Sequence, residues 1–174
     1  MVKKIDTILK KITGVFGGIS IVLLICVIVL ITIDVVARKF FASTVPGAYE
    51  LTERALMCLV FAGLSYTESG KGHINVTMLI NVFGRTAKFL VFGIMNLLGA
   101  ATAFYLSYAA FVQFGISHKT NTVTTVLLIP LYPFFLFEAI CALVLGITIL
   151  WSAITSFIAI KNDTMAEEIQ GAWS

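Results

Sequence analysis

The chain has 174 residues, enough for one compact unit at roughly 150 residues per domain, and 59% of them are hydrophobic against a usual ~45–50%. Charged residues make up 12% where ~25% is ordinary, the mean hydropathy is +1.02, and the net charge of +3 comes mostly from lysines near the ends of apolar segments. These values exclude a soluble fold of this size, a secreted disulfide scaffold, a disordered chain and a nucleic-acid binder; the medium is a bilayer.

A spanning helix needs about 20 mostly apolar residues, because the hydrocarbon core is about 30 Å thick and each residue rises about 1.5 Å. Residues 12–33 are 22 in a row without a charge, which predicts a first helix over about 12–37. Lys3, Lys4, Lys10 and Lys11 precede it as in a secretory signal, but the run exceeds a signal core of ~7–15 residues and 34–38 offers no small-x-small cleavage site, so it reads as an anchor. The uncharged run at 55–67 has only 13 residues, so a second helix, about 47–67, must carry Glu50, Glu53 and Arg54 into the membrane. Residues 89–117 give 29 uncharged positions, which a tilted third helix over about 87–115 accommodates. From 120 to 160 the only charge is Glu138, and Pro130 and Pro133 set the start of a fourth helix, about 132–160, near Tyr132, with 121–131 left at the interface.

Between the second and third helices lies S-G-K-G-H-I-N-V-T-M-L-I-N-V-F-G-R-T-A-K, residues 69–88. Gly72 and His73 fall in a cytoplasmic turn, and Met78, Leu79, Val82 and Phe83 then share one face of a helix too short to span. The expected fold is an all-α integral membrane protein: a single domain over 1–161 with four transmembrane helices and a short interfacial amphipathic helix, followed by a polar cytoplasmic tail, 162–174. Eight Lys or Arg fall on one side (Lys3, Lys4, Lys10, Lys11, Lys71, Arg85, Lys88, Lys161) and three on the other (Arg38, Lys39, Lys119), which puts both termini in the cytoplasm.

Parts for catalysis are few. His73 and His118 fall in loops, whereas a haem-carrying anchor needs axial ligands inside the helices. Cys26, Cys58 and Cys141 lie within spans with no close-spaced pair, as small apolar packing residues do, and no metal or cofactor site is expected. The informative feature is a band of ionisable residues toward the outer side: Asp34 and Arg38 four apart, Glu50 and Arg54 four apart with Glu53 beside them, and Glu138 one turn into the fourth helix. Pairs at i and i+4 meet on a helix, so Asp34 can reach Arg38 and Glu50 can reach Arg54. An ion pathway is one reading of intramembrane carboxylates. A salt-bridged structural seam is the reading preferred, because no charged relay continues toward the cytoplasmic ends. Small-residue pairs at Gly14 and Gly18, along Gly99, Ala103 and Ser107, and at Ala142 and Gly146 permit close helix packing into a bundle. Phe40, Phe41, Tyr49, Tyr132, Phe134 and Phe135 gather as an aromatic belt at the outer interface.

Four stretches, in order, resemble the small membrane subunit of tripartite ATP-independent periplasmic (TRAP) transporters, the DctQ-like subunits: D-V-V-A-R-K-F-F at 34–41, P-G-A-Y-E-L-T-E at 46–53, G-H-I-N-V at 72–76 and I-P-L-Y at 129–132. The likeness covers nearly the whole chain; Tyr132 stands where the family often has Trp. The resemblance implies a non-enzymatic, cofactor-free subunit of a sodium-driven secondary transporter for organic anions, multi-pass in a bacterial or archaeal cytoplasmic membrane. Its implied partners are a large membrane subunit (DctM-like), which holds the substrate and sodium sites, and a periplasmic substrate-binding protein. This chain would be scaffold and part of the receptor docking face, with Lys39 and Lys119 on the loops that dock. Two alternatives are a membrane anchor of a respiratory enzyme and a small four-helix exporter, although the latter would place an acid inside its first span, which here is uncharged.

Overall fold

The computed structural model describes residues 2–69 and 85–161, with side chains over 6–69 and 90–158. The described residues form four helices: α1 (Val2–Phe41), α2 (Ala48–Ser69), α3 (Arg85–Thr120) and α4 (Tyr132–Lys161). The turn at Gly72 and His73, the short amphipathic helix expected after it, and the tail 162–174 lie outside the described residues. α1 has 40 residues, about 60 Å at ~1.5 Å per residue, so it runs some three turns N-terminal of the uncharged stretch that marks it in the sequence. The lysines there do not stop it, because Lys is a good helix former and no Gly or Pro interrupts residues 2–13.

The helices lie side by side in the order α1, α2, α4, α3. α1 packs along α2, α2 along α4 and α4 along α3, while α1 touches α4 only locally, so the described helices form an open row. The local contacts are specific. The Trp151 indole N–H donates to Asp6 Oδ1 at 2.6 Å, and the Phe16 and Phe137 rings meet edge to face at 6.3 Å.

Small side chains fill the seams and large ones face outward. Ala62, Ala139, Cys141, Ala142, Ala100 and Ala103 are buried, whereas Val22, Ile25, Met95, Leu98 and Tyr105 are exposed. In water that distribution would be unstable; in lipid, tails are as apolar as leucine and helices associate by close approach and polar contacts. Two hydroxyls cross the seams: Ser65 donates to the Cys141 carbonyl (2.9 Å) between α2 and α4, and Ser107 donates to the Ala139 carbonyl (2.9 Å) between α3 and α4. Gly146 sits under Phe104 and Gly99 near Ile149, so those two stripes serve the α3–α4 seam. Gly14 and Gly18 meet nothing within 4 Å; it is Gly17, between them, that lies against Tyr66, where a Cβ would come within 2.6 Å of the ring.

The α1–α2 and α3–α4 connections lie at the same end of the row. α3 ends with Asn121 in the left-handed region (φ 47°) and the Thr122 N–H bonded back to the Ser117 carbonyl (3.2 Å), a Schellman-type stop. Residues 122–131 then fold into a tight loop, with Val123 and Pro130 bridged and the Thr124 N–H on the Ile129 carbonyl at 2.9 Å.

Candidate functional site

The charged residues singled out in the sequence collect at the end of the row where α1 stops and α2 and α4 begin. They form three partnerships rather than one continuous seam. In the first, Asp34 is buried and organises the α1–α2 connection: the Arg38 guanidinium donates to its Oδ2 through both Nε (2.8 Å) and Nη2, and the Val45 N–H donates to Oδ1 at 3.0 Å. One carboxylate thus closes the last turn of α1 and fixes the loop into α2. A helix end leaves its terminal carbonyls open, and a cation there also complements the helix dipole, which accounts for Arg38 and Lys39 in the last turn.

In the second, Glu50 does not meet Arg54, contrary to the i, i+4 expectation. Its two oxygens accept the N–H groups of Val126 (2.9 Å) and Leu127 (3.2 Å), so it clips the α3–α4 loop onto the start of α2. Two adjacent backbone donors aimed at one carboxylate out-compete a side-chain cation, because the loop holds them in place while an arginine must give up rotamer freedom. Gly47 opens the same corner: its φ of +75° is one that L side chains rarely adopt, and a Cβ there would overlap Leu127.

In the third, Arg54 turns to Glu53 at 3.2 Å, with its side chain 20% exposed and Glu53 47% exposed. The other nitrogen Nη1 lies 3.6 Å from the Met57 sulfur, and Nε is buried with no hydrogen-bond partner. Glu138, half-buried on α4, lies within the field of Arg54 and is the acidic residue that α4 brings to this cluster. Lys39 and Lys119 are both exposed at the same end of the row. Lys119 follows His118, whose ring packs with Phe114 (6.0 Å) and edge-on to Tyr132 (5.4 Å).

Two features escaped the sequence reading. Asp6, among lysines, looks like part of a solvated flank, yet it holds Trp151; the available signal was the tryptophan, whose N–H requires a partner when its ring is covered. The grip of Glu50 on a loop 76 residues away had no signal at all, since its donors are backbone groups. Among the described residues no group of three or more His, Cys, Asp or Glu is placed to hold a metal ion.

All-helical packing, three helices long and apolar enough to cross a membrane, and large apolar side chains turned outward define an integral membrane protein with several spans. α2 carries Glu50, Glu53, Arg54 and Glu68 in 22 residues and does not reach that measure of length and apolarity. The chain belongs to the DctQ component family of tripartite ATP-independent periplasmic transporters, whose family model matches residues 27–159. It is thereby a TRAP transporter small membrane subunit, a transport component and not a catalyst. No curated protein and no solved structure gives a match.

Proposed function

We infer that this chain is the static, non-transporting subunit of a sodium-driven, binding-protein-dependent transporter for organic anions, and that its charged end is part of the face on which the soluble receptor docks. The observation that carries the reading is the ordered outer corner, in which Asp34 and Glu50 pin both loops while Lys39 and Lys119 are left pointing to solvent. A rigid corner presenting free cations suits docking better than it suits transport. The chain also has no broken helix pair near the midplane among the described residues, the feature around which transporter sites are built.

In this reading all four helices cross, α2 included, because Glu50, Glu53 and Arg54 are partnered at its first turns, Glu68 lies at its other end and the stretch between them is uncharged, and both termini face the cytoplasm by the eight-to-three split of Lys and Arg. Asp34, Arg38, Glu50, Glu53, Arg54 and Glu138 then serve as structural fasteners of the outer side. The partners are a DctM-like large membrane subunit and a periplasmic substrate-binding protein.

The test is reconstitution. Liposomes holding this chain alone take up no organic acid under a sodium gradient, and the chain copurifies at one to one with its large subunit when the two are co-expressed. Charge reversal at Lys39 or Lys119 slows uptake by the full system and leaves copurification intact. Uptake by this chain alone, or undiminished uptake by the large subunit without it, overturns the reading. Orientation has its own check: in a background lacking the three native cysteines, an impermeant thiol reagent on intact cells labels a cysteine at position 121 and spares one at 81.

A further inference from the structure

An open cleft of about 500 Å3 lies between the end of α1 and the start of α2, within the roughly 300–1,000 Å3 typical of small-ligand sites. Its two ends differ in chemistry. At the helix ends it is lined by Arg38, Lys39 and Tyr49; one to two turns further along α1 it is lined by Ile31 and Val35, with Asp34 in its wall. Tyr49, 79% exposed, stands in the lining, and an exposed tyrosine on an apolar protein marks the headgroup level of a bilayer.

The charges in the cleft sum to one positive. Asp34 neutralises one cation and holds Arg38 through Nε and Nη2, so the guanidinium is oriented before any ligand arrives; Lys39 makes no ion pair among the described residues. A single phosphodiester matches that residual charge, and an acyl chain leaving it would run down Val35 and Ile31. An inorganic phosphate satisfies the basic end but leaves the apolar end empty.

We propose that this cleft is a seat for one anionic phospholipid, its phosphodiester between Arg38 and Lys39, its uncharged headgroup alcohol toward Tyr49 and one acyl chain along Val35 and Ile31. The ligand is a lipid rather than a segment of the receptor because the basic end and the apolar end are continuous and ordered as they are in a lipid molecule crossing the interface. The inference does not rest on the transport reading; with a lipid seated, Lys39 is engaged at the cleft and Lys119 is the cation left open to the receptor.

The full-length chain, purified and stripped of lipid, is titrated with dioleoylphosphatidylglycerol and followed by native mass spectrometry. One lipid is retained, and dioleoylphosphatidylcholine does not displace it. Lys39→Gln weakens retention about fivefold, the worth of one basic residue near an anionic headgroup. Ile31→Trp fills the apolar end of the cleft two turns away from Arg38 and Lys39 and abolishes retention, while Lys119→Gln, at the same end of the row, has no effect. Arg38→Gln also strips Asp34 of its partner and is therefore not the deciding variant. Equal retention of the zwitterionic lipid overturns the proposal by removing headgroup recognition. Displacement by millimolar inorganic phosphate overturns it by assigning a free-anion site. No retained lipid, with Lys39 needed only for binding the soluble receptor, overturns it by assigning the cleft to that protein; failure of the transport tests above changes none of these readouts.

Discussion

Glu50 illustrates how a residue's role depends on what the rest of the chain brings to it. On α2 alone, Arg54 is its natural partner at i+4; in the folded chain the amides of Val126 and Leu127 take both its oxygens. Glu50→Gln keeps the shape but has only one acceptor oxygen and no charge, so amide exchange at positions 126 and 127 accelerates, whereas Glu53→Gln leaves it unchanged. Equal exchange in wild type and Glu50→Gln would mean that the loop is held by its own hydrogen bonds. Arg54 has the complementary problem, a mostly buried cation with an orphan Nε and two acids in its neighbourhood. Arg54→Ala therefore lowers the melting temperature of the purified chain, Lys39→Ala does not, and Glu138→Gln in the Arg54→Ala background restores part of the loss. The double-mutant cycle between 54 and 138 yields a coupling of about 1 kcal/mol; simple additivity there removes Glu138 from the cluster. That acids would gather at this end was legible from spacing. Which acid takes which donor was not, because half of the donors are backbone amides that no side-chain pattern reveals.

Helices in this chain were legible as uncharged runs, and their seams only in part. Stripes of small residues on α3 and α4 read correctly because two of them face each other across one antiparallel pair, with Ser107 and Gly146 both in the contact. The same pattern misleads on α1, where the spacing picks out Gly14 and Gly18 and the contact falls on Gly17 under the Tyr66 ring. Spacing identifies a face; it does not say whether anything covers it. The difference has a measurable form. Gly146→Leu drives a side chain into Phe104 and costs about 1–3 kcal/mol, the usual penalty for overpacking a filled site, read as a lowered melting temperature of the chain alone. Gly18→Leu meets open space and leaves that temperature within error. A loss at Gly18 equal to that at Gly146 would show that α1 has a covered side within this chain.

At the scale of the molecule, the spatial order α1, α2, α4, α3 does not follow the sequence, since α4, made after α3, takes an inner place in the row. Nothing in local composition encodes that; it depends on Ser65, Cys141, Ser107 and Ala139 lining up across two seams at once. It carries a consequence for biosynthesis. A ribosome finishes α1, α2 and α3 before α4 exists, so among the described helices α3 enters the bilayer with no extended surface to lie against, and the first turns of α1 wait for Trp151, 145 residues behind Asp6. Nascent chains halted after residue 131 should therefore form a cross-link between cysteines at 17 and 66 and none between α3 and either earlier helix. Synthesis of residues 132–161 should let α3 be captured, and the halted chains should be proteolysed faster while they wait. The insertion of α4 is the moment at which two independent membrane fragments become one protein, so quality control that acts on unassembled helices has a defined window in which to act on α3.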